Sequence, residues 1–589
     1  MTASFVQSPK EIPEGSDGPA KDQHELHTGF SEQHGSTSAR STETGEDEVK
    51  YPSGIKLIAI GVGLILAVVC SNLDRSILGV ATPQITSEFH SILDIGWYGS
   101  AYLLTSCCSQ LMFGKLYAGL NIKWTFMASL AIFEIGSILC AVAPSSSCLI
   151  VGRAVAGLGA TGISTGSLLI ISYSMPVSQR PKYTAIIGAG MGITLVFAPF
   201  LGGVFTSKLT WRWCFWINLP LGGLTLLTTL FLVQLPPRQE QQRTTTRSHF
   251  VEKFDIKGNL ILLPAVVCLL LALQWGGQKY AWSSWRMIVL LATFAICGTG
   301  WCIVQVYEGD QATIPMRLLR MRSILAAMFF AFCLFGMLFV QSYYVPIWFQ
   351  VVGGDTAYNA GVKMLAYTVA MTIGFPIAGV LTSVIGYYVP FMILGSIASA
   401  IASGLAVKFG VDTTTQYWMA TLILSGLGFG LGGQQCMMVP QTMLTGEDIA
   451  LGTSVIMFAE TISGIVFLAV SENLLANSLV RELHDLAPLV DPRIVIAAGA
   501  SQLEDKLGRI YDDHTVDLIR QAYSNALFPV WIIGVVLAAL SLFGALGTEW
   551  VCVKKTAEKD EDEKGSEAPQ DRTLEGKEES EPLGPPGRV

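Results

Sequence analysis

The chain has 589 residues, of which 51% are hydrophobic and only 14% charged, against about 25% charged in a typical soluble protein. So little polar surface excludes the series of soluble domains that this length could otherwise hold, and a mean hydropathy of +0.49 points to a membrane protein of many spans. The net charge of -8 sits largely in the tails, no basic patch for nucleic acid is present, and the 12 cysteines, nearly all in apolar runs, form neither a disulfide framework nor a CxxC metal pattern.

In chain order, residues 1–55 are rich in Ser, Thr, Gly, Glu and His, lack an apolar h-region and read as a disordered tail. Fourteen apolar runs follow, each long enough to cross a hydrocarbon core of about 30 Å. They fall at 57–82, 97–116, 125–143, 148–174, 183–206, 213–234, 256–275, 285–306, 324–348, 361–384, 389–409, 418–440, 453–475 and 526–549. A polar loop at 236–255, opening on Pro-Pro, divides the chain after the sixth run. The segment 476–525 has helical apolar spacing and is too long for a bare connector. Residues 551–589 form a second charged, disordered tail.

An even number of spans puts both tails on one side. The short loops on that side hold Lys115, Lys123, Arg180, Lys182, Arg317, Arg320 and Arg322, joined by Arg238, Arg243, Arg247 and Lys253 in the polar loop. Those on the other side hold chiefly Lys208, Arg212, Lys279 and Lys408. The excess of Lys and Arg marks the tail side as cytoplasmic, which makes 476–525 external.

No GxxxxGK[ST] occurs, so no P-loop for a nucleotide is expected. None of the seven histidines lies inside a predicted span, and no cluster has the spacing of metal ligands. These absences predict a protein that is not an enzyme and holds no cofactor and no metal.

Ionisable residues inside apolar runs are costly and by default functional. Asp74 lies about 25 Å along a helix begun at Leu57, at 1.5 Å per residue. It either carries function or snorkels outward beside Arg75. Arg153 in the fourth run needs a partner. Glu134 in the third run and Glu460 in the thirteenth are further candidates for a proton site; Glu134 fits a structural, hydrogen-bonded acid equally well. Tyr102 lies deep enough in the second run to face a cavity. Gln434 and Gln435, after Gly426, Gly428, Gly430, Gly432 and Gly433, read as polar groups turned toward a cavity.

Several motifs occur in the order of one family. Leu73-Asp74-Arg75-Ser76-Ile77 with Ala81-Thr82-Pro83 resembles a first-span signature. Trp97-Tyr98-Gly99-Ser100-Ala101-Tyr102-Leu103-Leu104 resembles W-x-x-x-A-Y-x-L. Gly152-Arg153-Ala154-Val155-Ala156-Gly157-Leu158-Gly159-Ala160 resembles R-x-x-x-G-x-G-A. Gly188-Ala189-Gly190-Met191-Gly192, then Ala198-Pro199-Phe200-Leu201-Gly202-Gly203, resemble the antiporter motif G-x-x-x-G-x-x-x-G-P-x-x-G-G, with Ala198 in place of one Gly and five residues rather than three between Gly192 and Ala198. Trp211-Arg212-Trp213-Cys214-Phe215-Trp216-Ile217-Asn218-Leu219-Pro220 resembles the entry to a sixth span. Together, over roughly residues 50–550, they resemble the fourteen-span drug:proton antiporters of fungi in the major facilitator superfamily. One departure concerns the gate motif G-x-x-x-D-R-x-G-R-R, where Ala118 and Gly119 replace its acid and arginine.

The resemblance implies an all-α polytopic fold of 14 transmembrane helices. An N-terminal six-helix bundle (56–235) would be followed by the cytoplasmic loop 236–255. Two extra central spans with a linker (256–322) and a C-terminal six-helix bundle (323–550) would complete it. It implies proton-coupled export of small amphipathic compounds (a toxin, secondary metabolite or drug) by alternating access. Asp74 and Arg153 would form the coupling pair, and Gly188, Gly192, Pro199, Gly202 and Gly203 a seam against leak. It also implies a monomer in the lipid of the plasma membrane, with small molecules and protons as partners. A proton-coupled siderophore transporter and a transporter-like receptor are the rival readings.

Overall fold

The computed structural model describes residues 55–91, 94–233, 255–277, 280–492, 495 and 511–554. The tails and the loop 236–254 lie outside the described residues, and so does most of 493–510. Among the described residues no β-strand forms beyond an isolated bridge between Gly276 and Tyr280. Hydrocarbon offers no partner to a backbone amide, so each apolar run satisfies its own N–H and C=O groups as a helix.

The first half holds α1 (Ile55–Phe89), α2 (Ile95–Gly119), α3 (Ile122–Ala141), α4 (Ser146–Ser174) and α5 (Arg180–Lys208). Its sixth crossing is broken at Ile217 into α6 (Trp213–Trp216) and α7 (Asn218–Leu232). The added pair is α8 (Ile256–Trp275) and α9 (Trp285–Glu308), linked by the short α10 (Met316–Arg320) to the second half. That half holds α11 (Arg322–Val351), α12 (Ala357–Lys363), α13 (Leu365–Ile385), α14 (Val389–Ala406), α15 (Thr415–Gly432), α16 (Met438–Met443), α17 (Asp448–Leu486) and α18 (Asp513–Gly547).

Thirteen helical segments among the described residues are long and apolar enough to cross a membrane. The helix α2, 25 residues long, is not among them. Ser100, Thr105, Ser106, Ser109, Gln110 and Lys115 lower its hydropathy, and its place between α4 and α17 explains why a polar helix is tolerated. The sequence assigns 476–525 to a loop, yet α17 continues to Leu486 and α18 begins at Asp513. Buried Leu479 and Leu483 extend the apolar face of α17 past the membrane-length run.

Within the first half, small residues let α3 and α4 touch backbone to backbone. A Cβ on Gly159 would meet Phe133, and one on Gly152 would lie 2.7 Å from Cys140 Sγ. Close approach of this kind is how helices pack where lipid supplies no hydrophobic drive. The halves meet along two seams, α5 against α13 and α2 against α17. The helix α8 packs on the second seam, touching both α2 and α17, while α9 packs mainly on α8 and leaves Trp285, Ile288, Val289, Ile296 and Ile303 exposed.

The halves are tied at the end that carries the α2–α3 and α4–α5 turns. There Tyr173 donates to the Gly446 carbonyl and Arg180 reaches the Gln441 carbonyl, while Lys115 Nζ donates at 3.1 Å to the carbonyl of Gln311 in the linker before α10. A Cβ on Gly379 would strike Ala185 and the Pro181 carbonyl. At the opposite end Gly203 and Gly361 have nothing within 4 Å of a Cβ position, and Phe200 and Tyr358 are exposed.

Two polar knots brace the bundle ends. Trp211 Nε1 donates to Glu88 at 2.6 Å, Arg212 pairs with Glu88 at 2.9 Å, and Arg212 lies 4.4 Å over the Trp211 ring. The Trp211 hydrogen bond and the Arg212 charge outweigh partial burial and hold the Glu88 carboxyl below its ordinary range. The Trp-Arg-Trp stretch, which the sequence marks only as a family feature, is therefore a clamp on α1. At the tied end buried Asp255 caps α8 through Gly258 N–H at 2.6 Å. It also accepts from Gln305 at 2.8 Å and Thr313 N–H at 2.7 Å. Burial raises the Asp255 carboxyl, but a side-chain hydrogen bond with Glu308, and then those from Thr313, Gln305 and Gly258, prevail and leave it below its ordinary range.

Candidate functional site

The first-span acid and the fourth-span arginine meet. Asp74 and Arg153 form an ion pair, with exposures of 0% and 1%. Desolvating two charges is expensive unless further polar contacts offset it, and here Asp74 Oδ1 and Arg153 Nε each find one. Asn218 Nδ2 donates to Asp74 Oδ1 at 3.0 Å and also lies 3.1 Å from Ser137 Oγ. Arg153 Nε donates to the Tyr98 carbonyl at 3.0 Å. The break before α7 places Asn218 here, at the first residue of its helix.

The pair does not open into the cavity. The Tyr102 ring covers it, 4.5 Å from the Arg153 guanidinium, and the Tyr102 hydroxyl donates to the Ser71 carbonyl at 3.2 Å. Tyr102 borders the central cavity, whose polar wall includes Asn72, Ser106, Gln110, Thr161 and Gln434. Met191, Met437 and Met457 give it adaptable apolar surface. Arg75 and Glu460 enter from opposite halves. The cavity encloses ≈ 120 Å³ and continues into a branch of ≈ 240 Å³ beneath α8, which shares Arg75, Leu103, Glu460 and Thr461 with it.

The other predicted residues separate by place. Gln434 lines the cavity, but Gln435 does not: it is buried and accepts from Thr382 at 3.1 Å. The reading of Gln435 as cavity-facing is thus corrected. The chain leaves α-helical geometry after Gly432 and enters a 3-10 turn at Gln435–Met437, so adjacent glutamines diverge. Glu134 is not at the cavity either. It is buried on α3 facing α7, where a Cβ on Gly222 would overlap Oε1, and neither carboxyl oxygen has a hydrogen-bond partner among the described residues. Arg75 is not the partner of Asp74. It turns toward the cavity, 5.4 Å from the Phe339 ring, a position that pattern reading of the sequence does not reveal.

The glycines of the fifth span face two ways. A Cβ on Gly188 would lie 2.7 Å from Gln434 Cγ, and one on Gly192 would overlap Thr372 Oγ1, so both sit in the α5–α13 seam. Gly202 instead abuts Ile77 and Val80 of α1, and Gly203 faces open space. Pro199 lies on the same helix, but its side chain is outside the described ones. The altered gate motif has buried Ala118 at the acid position, and Lys115 instead holds the linker between α9 and α10 through the Gln311 carbonyl. No group of three or more potential metal ligands occurs among the described residues.

Two helical halves around a polar and apolar cavity, within helices of membrane-spanning length, define a multi-pass membrane transporter. Residues 64–468 match the Major Facilitator Superfamily, and the chain belongs to that family. The MFS-type efflux pump MFS1 of Arthroderma benhamiae is 40% identical over 522 residues, covering 88% of this chain and 96% of that protein. Efflux pump aflT of Aspergillus parasiticus is 42% identical over 504 residues, covering 85% and 97%. The solved structure of the MFS proton:xylose symporter XylE superposes with a TM-score of 0.52 at 13% identity, covering 85% of this chain and 98% of that one. At that identity it speaks to the fold alone.

Proposed function

We propose that this protein exports small amphipathic organic compounds (a toxin, secondary metabolite or drug) against inward proton flow. It works as a monomer in the plasma membrane with both termini cytoplasmic. The observation that carries the coupling is the Asp74–Arg153 pair buried directly behind a cavity-lining ring. The names of the relatives support the direction, since they are efflux pumps at about two-fifths identity over most of the chain.

In this reading the halves rock about the cavity. With the cytoplasmic end tied, Asp74 takes a proton from the outer side and releases Arg153 while cargo departs. Once the halves have turned, Arg153 re-pairs with Asp74, the proton leaves to the cytoplasm, and cargo enters. The α5–α13 glycine seam keeps the two sides from communicating during the turn. Glu460, on the cavity wall, and Glu134, behind it, are secondary proton sites.

The test is efflux of hydrophobic dyes and fungal toxins from cells expressing the protein, with and without a protonophore. Protonophore-sensitive efflux, lost in Asp74→Asn and Arg153→Ala, is expected. Uptake of an iron chelate in place of efflux would reverse the direction. Proton-driven efflux that survives both substitutions would move the coupling to Glu460 or Glu134.

A further inference from the structure

The buried face of α7 holds no apolar side chain. Its buried residues are Asn218, Gly222, Thr225 and Thr229, spaced so that they share one side of the helix. Leu224, Leu227 and Phe231 are exposed on the remaining surface. The stripe starts at the ion pair, where Asn218 bonds Asp74. It runs to the tied end, where Lys123 Nζ at the start of α3 donates to the Leu230 carbonyl at 2.7 Å. Neither the central cavity nor its branch is lined by any residue of this stripe.

Glu134 points into it. A Cβ on Gly222 would overlap Oε1, so glycine at that position leaves room for the carboxyl. The helices α3 and α7 run antiparallel, with Ser137 Oγ meeting Asn218 Nδ2 at 3.1 Å. Glu134 and Gly222 each lie one turn from that contact, about 5.4 Å nearer the tied end. Both Glu134 oxygens, and Asn218 Oδ1, are buried without a hydrogen-bond partner among the described residues. The ionisable groups near Glu134 are Asp74 and Cys70 of α1, whose charged forms would both repel a carboxylate, while Arg153 of α4 is held by Asp74. A carboxylate so placed is expensive. A neutral carboxylic acid fits, with one proton to give and one oxygen able to accept.

We propose that Glu134 is a proton station between Asp74 and the tied end, and that the polar face of α7 is the route by which the proton leaves. This deepens the export reading and rests on it, since there the tied end is cytoplasmic and Asp74 is the coupling acid. Protonated Asp74 gives its proton toward one oxygen of Glu134 by way of the Ser137 hydroxyl and bridging water. Glu134 releases the proton it already carries from its other oxygen, past Thr225 and Thr229. One proton enters and one leaves. Asp74 ends as the carboxylate that re-pairs with Arg153, and Glu134 is neutral before and after.

Infrared spectroscopy of the purified full chain in lipid nanodiscs reads the carboxyl without any cargo. At neutral pH the wild type should show a protonated-carboxyl C=O band that Glu134→Gln lacks and Glu134→Asp restores. Transfer to D2O should shift this band, because the route opens to water. Thr225→Val keeps the side-chain shape without the hydroxyl. It should retain the band, which shows that the variant is folded, and slow the shift several-fold. A wild type without the band, a band that does not exchange, or a Thr225→Val variant that exchanges as fast as wild type overturns the route. So does protonophore-sensitive dye efflux from Glu134→Gln cells at the wild-type rate, and that result would leave the export reading standing. The infrared pattern holding in a chain that exports neither dye nor toxin would refute the export reading alone.

Discussion

Removing Asp74 strands a buried cation. Breaking a buried ion pair costs ~3–5 kcal/mol because the remaining charge has lost its compensation. Arg153 would keep the Tyr98 carbonyl and the Tyr102 ring face, so the low end, ~3 kcal/mol, is expected for Asp74→Ala. Replacing both partners by apolar residues of similar volume removes the charge altogether and is often neutral or stabilising. The double variant Asp74→Leu with Arg153→Met should therefore recover most of the stability lost in the single one. Unfolding of the purified protein in micelles measures this, beside efflux from the same cells. The expected result is a stable double variant without proton-driven export. A double variant that regains both stability and export would reduce the pair to a structural strut and refute the coupling role. An Asp74→Ala variant as stable as wild type would refute the buried pair itself.

Three further predictions use other parts of the fold. Gly192→Val drives a branched side chain onto Thr372 and should abolish efflux or folding, whereas Gly203→Ala, facing open space, should be as stable as wild type or ~0.5 kcal/mol more so; efflux and thermal unfolding decide both. For Glu88, the folded carboxyl lies below its ordinary range. Its stabilising contribution is therefore present above the unfolded pKa and is lost as pH falls through the folded one. Glu88→Gln should accordingly unfold more easily than wild type at neutral pH, with the gap closing in strong acid, and a gap independent of pH would contradict the clamp. Lys115→Met removes the tie to the Gln311 carbonyl at 3.1 Å. It should raise the reactivity of a cysteine placed at Ser454, opposite Gly114, toward a membrane-impermeant thiol reagent added from the tied end, in a background cleared of other reactive thiols.

How much was legible in the sequence depends on what each residue needs. The spans could be read because an apolar run in lipid has one way to satisfy its backbone. Asp74 and Arg153 could be matched because an arginine inside a span demands a partner and the family resemblance implies that the first and fourth spans line one cavity. Gln435 could not be placed, since helical spacing fails where α15 ends and the chain tightens into a 3-10 turn. Arg75 was hidden for the opposite reason: an arginine beside an acid looks already paired. Past residue 475 the helical apolar spacing was legible, but not that it continues α17 unbroken to Leu486. Buried Leu475, Leu479 and Leu483 form one continuous stripe, and such a stripe does not show where the membrane crossing ends.

The ring of Tyr102 has a consequence for what the protein can carry. One face touches the Arg153 cation and the residue borders the cavity. If protons pass through Asp74, a passenger can influence them merely by pressing on an aromatic wall. It needs no charge of its own for that, and no hydrogen bond to either member of the pair. Energy conversion and passenger recognition become separable chemistries, and the cavity is free to diverge toward new compounds while the proton machinery behind the wall stays the same.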